Sequence, residues 1–324
     1  MAYTTGTAAN NYDLLVQLKN WLTGTCGWTL LNFTDDAGAA TSGPGSVVNL
    51  QGPGGGSTQE VFLNIRTVTN TALSCYSWEF NNALSYSSSA LFTNQLGTCG
   101  STFLNLWNSG MTYWFFANNR RVIVVAKTST VYVSMYAGMF LPWANPSQFA
   151  FPLYCAGDWN QITPWTQQIS GRRMMCDPAQ GYVRSQLGIW LPLQNENLSS
   201  STNDAARQDA TGNWAKVWPW SAGGMYYSGI SSDTRDSWDA SGGASSTGGG
   251  LDGLVPTAQG EHFLWPSMIW HGAGPQLGVL DGVYCLGGVG LSSEAAVTIG
   301  SRNFLVFQNV HRNSGNDFFA VEEI

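Results

Sequence analysis

Apolar side chains recur at helical spacing over residues 11–24, NYDLLVQLKNWLTG. Tyr12, Leu15, Leu18 and Leu22 fall on one face with Trp21 beside them, which predicts an amphipathic helix. Asn10 or Asn11 can cap its start, and Gly24 suits its stop. Beyond it the period shortens to that of strands. CGWTLLNF at 26–33 reads as one, and VFLNIRTV at 61–68 alternates as another. Between them the Gly/Ser/Pro-rich stretch 37–58 reads as a loop. Tyr76 to Phe80 is a further short apolar stretch.

The clearest supersecondary signal is MTYWFFANNRRVIVVAKT at 111–128. Two β-branched and aromatic runs flank Asn118-Asn119, and asparagine tolerates the positive φ of a tight hairpin turn. STVYVSMYAGMFLPW adds a strand or two. From about residue 157 prolines, tryptophans and short polar runs alternate. Residues 199–213 and 228–254 are loop-like, the latter containing SGGASSTGGG. Regular patterning returns at 277–287, at 295–309 and in the final FFAVEEI. The predicted fold class is α+β, mostly β: one N-terminal helix, then many short antiparallel strands in a sandwich-like arrangement with long Gly/Ser-rich loops. Three regions follow from this texture: a helix plus β core at 1–156, a loop-rich Trp/Gly/Ser insertion or second subdomain at 157–260, and returning strands at 261–324.

Charge sharpens this picture. Only 10% of the 324 residues are charged, against roughly 25% in an ordinary domain. Residues 80–157 contain no Asp or Glu, and their cations are Arg120, Arg121 and Lys127. Such a stretch is buried either in its own fold or against a neighbour, because a soluble surface needs interspersed charge. With 15 Trp and 12 Tyr, residue types favoured at protein interfaces, the expectation is a subunit of a static assembly. The doublets Arg120–Arg121 and Arg172–Arg173 do not make the basic cluster that nucleic-acid phosphates require. The opening MAYTTGTAANNYDLL lacks the marks of a secretory signal, and no apolar run is long enough for a membrane span.

Reactive constellations are sparse. Cys26, Cys75, Cys99, Cys155, Cys176 and Cys285 form no CxxC pair and no cluster of zinc spacing. They read either as small buried hydrophobes or as disulfide partners. GPGGGS at 52–57 and GGVG at 287–290 lack the spacing and the Lys-Ser/Thr of a phosphate loop and read as turns. No G-x-S-x-G is present. His262 and His271 flank FLWPSMIW and read as buried, hydrogen-bonded side chains. No catalytic residue, metal ligand or cofactor is assigned. The acids Asp158, Asp177, Glu196, Asp233, Asp236, Asp239 and Asp252 offer pairs for glycoside cleavage, yet most lie in polar loops where Asp forms turns. Trp214, Trp218, Trp220, Tyr226, Tyr227 and Trp238 crowd a Gly/Ser-rich region. They are candidates for a subunit interface or for stacking on sugars.

Four segments resemble tailed-bacteriophage virion proteins: MAYTTGTAANNYDLLVQLKNWLTGTCGWTLL, QGPGGGSTQEVFLNIRTVTN, the block from LNLWNSGMTYWFF to SQFAFPL, and LGVLDGVYCLGGVGLSSEAAVTIGSRNFLVFQNVHRNSGNDFFAV. The resemblance covers about half the chain and carries no catalytic motif. It implies a non-enzymatic structural subunit of the neck, collar or tail, forming a ring or sleeve with itself and other virion proteins. Such a subunit is assembled in the bacterial host cytoplasm and resides in the virion, where disulfides formed after release would harden the particle. The alternative is a receptor- or glycan-binding protein of the baseplate or tail tip.

Overall fold

The computed structural model describes residues 2–36, 43–56, 59–145, 147–158, 180–193, 215–218, 262–271, 276–286, 290–308 and 318–323. Among them are nineteen strands, one α-helix and two short 3-10 turns. The fold is mostly β, as the patterning predicts. Every ladder between these strands is antiparallel, and one isolated parallel bridge joins Leu193 to Ala215.

Helix α1 spans Asn11–Gly24. Asn10 is its N-cap, accepting the Asp13 N–H at 2.8 Å. Its buried stripe is Asn11, Leu14, Leu15, Leu18 and Leu22. Tyr12, expected inside, instead turns its hydroxyl outwards to Asp35. The helix runs through Gly24 and is capped at Thr25, and the left-handed residue is Gly27.

A central sheet is built from β1 (Ala2–Ala8), β7 (Met111–Ala117), β8 (Arg121–Thr128), β9 (Val131–Met139), β11 (Leu153–Gly157), β12 (Gln180–Arg184) and β13 (Trp190–Pro192), in that order. Successive residues of its middle strands enter two different cores. Tyr113, Phe115, Val122, Val124, Val133, Met135, Leu153 and Cys155 face one side. Trp114, Phe116, Ile123, Val125, Tyr132, Tyr136, Tyr154 and Ala156 face the other. Two-sided burial explains why residues 80–157 carry no acid: much of that run lies in a sheet with no solvent face. Burial inside the chain accounts for the missing charge in these strands, though not in the exposed loop 84–101 of the same run.

On the first side sits a five-stranded sheet: β2 (Thr29–Thr34), β3 (Gly43–Gly52), β4 (Val61–Asn70), β5 (Cys75–Ala83) and β6 (Thr102–Leu106). It shares its core with α1. Strand β3 corrects the expected 37–58 loop. SVVNLQ within that stretch has strand patterning, and a register shift between Pro44 and Val47 absorbs the flanking irregularity. The face of this sheet away from the core carries an amide ladder. Asn32, Asn49, Asn64 and Asn81 stand opposite one another on neighbouring strands. Each donates its amide N–H to the next carbonyl, at 3.2, 2.6 and 2.8 Å. Asn49, Asn64 and Asn81 are buried, and the chain of bonds satisfies them in one register only.

On the second side lies a C-terminal sheet, ordered β14 (Ala215–Trp218), β15 (Trp265–His271), β16 (Gln276–Leu286), β19 (Phe318–Glu323), β18 (Arg302–Gln308) and β17 (Ala296–Ile299), with β10 (Leu141–Pro142) also on β16. Leu305, Phe307, Phe319 and Val321 point into the shared core. Phe304, Val306, Phe318 and Ala320 form a cluster on the opposite face. The stretch 295–309, expected as one strand, is a hairpin of two. Within 157–260 the described strands extend the central and C-terminal sheets.

The turn between β7 and β8 joins all three sheets. Asn118 O accepts the Trp28 indole N–H at 2.9 Å, and Asn119 O accepts the Gly54 N–H at 2.7 Å. Towards the C-terminal sheet, Asn118 Nδ2 donates to Asp281 Oδ2 at 2.8 Å. Arg120 reaches the same oxygen at 3.3 Å, and the wholly buried Arg121 lies 3.8 Å from it. Neither asparagine adopts positive φ. Asn118 instead closes the turn with its side chain, accepting the N–H groups of Arg120 and Arg121. Glycine is required at two neighbours: a Cβ on Gly138 would lie 2.3 Å from Arg120 O, and one on Gly282 would lie 2.4 Å from Arg121 Nη2.

Two outcomes follow. Asn64→Ala orphans the Asn49 donor and the Asn81 acceptor, so denaturant unfolding should show a loss of about 2–4 kcal/mol. Arg121→Ala leaves Asp281 buried with less compensation and opens a cavity between two sheets; a loss of about 3–5 kcal/mol is expected in the same assay.

Candidate functional site

Of the seven large aliphatic side chains exposed among the described residues, four stand on two loops joined by a hydrogen bond. Leu91 and Leu96 are each 71% exposed, Leu187 is 86% exposed and Ile189 is 42% exposed. Their backbones are held firmly. In the loop after β5, the buried Gln95 side chain accepts the Ser87 N–H at 2.7 Å and donates to Ser87 O and Ala90 O at 3.0 Å each. Phe92 turns inward and lies 4.5 Å beneath the Arg66 guanidinium, which pairs with Glu79 at 2.7 Å. With its polar groups bonded to each other and Phe92 spent inside, the loop presents Leu91 and Leu96 outward.

Leu187 and Ile189 belong to the β12–β13 hairpin, whose turn is closed by Gly188 at φ +81. The Trp190 indole N–H donates to Gly97 O at 2.9 Å and fastens this hairpin to the first loop. Residues 84–101 and 185–192 contain no ionisable acid or base except Tyr86 and Cys99. Arg184, at the foot of the hairpin, donates to Ala150 O at 2.9 Å, and its guanidinium lies against Gly188, where a Cβ would be 2.9 Å from Nη2. The result is an apolar edge on two braced loops, flanked by the guanidinium groups of Arg66 and Arg184, and exposed apolar patches are a feature of interaction surfaces.

The sequence candidates fall elsewhere. Trp214, Trp220, Tyr226, Tyr227 and Trp238 lie outside the described residues. Trp218 stands in β14 opposite Met268, and its side chain is outside the described set. Of the seven acids considered for glycoside cleavage, Asp158 is described; it is buried and accepts the Asn105 N–H at 3.0 Å, which caps the edge of β6. His262 and His271 are half-buried rather than enclosed. Among the described residues no three His, Cys, Asp or Glu side chains gather as metal ligands, and no helix is long and apolar enough to cross a membrane.

Cys176 lies outside the described residues. The other five cysteines are free thiols. Cys75 approaches Ser77 Oγ at 3.6 Å and Asn105 Oδ1 at 3.7 Å. Cys285 approaches Ser267 Oγ at 3.3 Å. Cys99 and Cys155 share the core beneath the central sheet. Cys26 is half-buried, and burial pushes its thiol up to about 11.

The apolar edge was missed in the sequence because leucines in short Ser/Gly runs look like the ends of strands. The available signal was an absence of charge through turns, where charge is ordinarily placed. Trp143, between Pro142 and Pro146, is likewise 65% exposed. No protein family matches the chain, and no curated protein matches it.

The Cys26 thiol should be protonated, and so sluggish, at about pH 8. Native-state alkylation at Cys26 is expected to accelerate about tenfold per pH unit towards its raised value, as read by peptide mass spectrometry. The same shift makes Cys26 favour folding below the ordinary thiol value of 9.0 and withdraw that contribution as pH rises towards about 11.

Proposed function

We propose that the protein is a non-enzymatic structural subunit of a tailed-phage particle, forming a ring or sleeve at the neck, collar or tail through contacts with itself and with other virion proteins. The observation that carries this reading is the apolar edge of Leu91, Leu96, Leu187 and Ile189, displayed on two loops that internal hydrogen bonds hold in place. Pre-ordered loops lose little entropy when a partner covers them. A head-to-tail contact through such an edge generates a ring when its rotation closes. The phage context rests on the sequence resemblance. Strands buried on both faces and a bonded amide ladder give the stiffness that a static wall needs.

A receptor- or glycan-binding role is the second reading, favoured by the exposed ring of Trp143, since flat exposed indoles stack on sugars. It predicts glycan binding by a lone molecule that is lost in Trp143→Ala.

Sedimentation of the purified chain should show a defined oligomer. Leu96→Glu and Leu187→Glu each place a charge where a leucine is covered, and each should weaken association by roughly tenfold to a hundredfold, the equivalent of about 1.5–3 kcal/mol. Their circular dichroism and melting should stay close to wild type, because both side chains are outside the cores. A native protein that remains monomeric at high concentration and joins no virus component would refute the proposal.

A further inference from the structure

Two buried thiols meet where the loop 84–101 crosses the central sheet. The Cys99 N–H donates to Asn82 O at 3.0 Å, and the Asn82 N–H returns to Cys99 Sγ at 3.3 Å. The amide of the same Asn82 donates to Tyr154 O at 3.0 Å, which seats this corner beside β11 one residue before Cys155. Gly100 completes the approach. A Cβ there would lie 2.2 Å from Tyr182 Oη, and Tyr182 is the register partner of Cys155. Cys99 and Cys155 lie in the same buried cluster, and the Cys99 thiol is near enough to raise the pKa of Cys155. Cys99 keeps 6% exposure and Cys155 none. Cys75 and Cys285 face hydroxyls or an amide.

We infer that Cys99 and Cys155 form an oxidisable pair that closes into an intrachain disulfide within the folded protein, stapling the loop 84–101 to the central sheet. The oxidant is a peroxide, small enough to enter where a bulky disulfide is not. The Cys99 thiolate attacks one peroxide oxygen: an S–O bond forms, the O–O bond breaks, and the departing hydroxide takes a proton to leave as water. The Cys155 sulfur then attacks the sulfenic sulfur. The S–S bond forms, the S–O bond breaks, and the leaving hydroxide carries off the Cys155 proton as a second water. Two thiols are oxidised by two electrons in all, and one peroxide is reduced to two waters.

Cys99 keeps some exposure and Cys155 none, which assigns the first attack to Cys99; burial raises the Cys155 pKa, which makes closure slow. The staple concerns a single chain and does not depend on the assembly reading, although the loop it ties carries Leu91 and Leu96. Its consequence there would be to lock the exposed edge after oxidation.

The test treats the full-length folded protein with hydrogen peroxide, alkylates the remaining thiols and maps peptides under non-reducing conditions. The expected result is a linked peptide joining Cys99 to Cys155, with the melting midpoint raised by roughly 5–10 °C and restored by dithiothreitol. Cys99→Ser should abolish both changes, and Cys75→Ser should leave both intact. If Cys99→Ser does not fold, the wild-type map decides alone. Recovery of Cys99 and Cys155 as alkylated thiols or as sulfinic acids from the folded, oxidised protein, or linkage of either to another cysteine, would overturn the inference.

Discussion

A guanidinium with no exposed surface is the constraint around which the layers are arranged. Arg121 begins β8 at the corner where the three sheets converge. Burial lowers its pKa against the opposing pull of Tyr136, Asp281 and Glu322. An isolated buried cation is untenable, so the C-terminal sheet must bring Asp281 to this corner and no other. Gly138 and Gly282 lack side chains because Arg120 and Arg121 occupy that space. Tyr136 donates to Met139 O at 2.6 Å, and its oxygen faces the Asp281 N–H at 3.3 Å. Apolar packing of two flat sheets tolerates sliding, whereas this corner allows one placement, so it sets the relative position of layers that hydrophobic burial holds together.

The same logic of few, well-placed polar groups runs through the five-stranded sheet. Its amide ladder sits on the face away from the main core, where alternation alone would call for solvent-facing side chains. Asn49, Asn64 and Asn81 are buried, the ladder's inner two, Asn49 and Asn64, are bonded on both sides, and a slip of one residue would break every link. The loop 84–101 lies over part of this face, with Phe92 stacked on Arg66. The sheet therefore has two covered faces, one apolar and one polar.

Charge scarcity carried two meanings in the sequence, and the structure separates them. The middle of the acid-free run, 111–139, lies mostly in a sheet covered on both sides, so that part reports on the interior. A smaller feature is separate from it: four aliphatic side chains exposed on turns, where an internally buried strand cannot account for them. The six aromatics between Trp214 and Trp238 were chosen for their density in sequence, but density of rings does not distinguish a core from a surface. Exposure does, and it is a property of the fold.

Local patterning determined the elements. The Leu stripe and Asn10 specified α1 to its first residue, and the β-branched runs around Asn118 specified the hairpin, because spacing and capping act over a few neighbouring residues. Strand β3 was hidden, since its glycines and proline mask a short apolar core that becomes a strand only when β2 and β4 flank it. Which faces are buried, which thiols meet and which leucines remain outside were decided by tertiary structure alone. Cys99 and Cys155, or Leu96 and Leu187, are remote in the chain and are brought to one corner or one edge only by the way sheets stack, and no local preference encodes that distance.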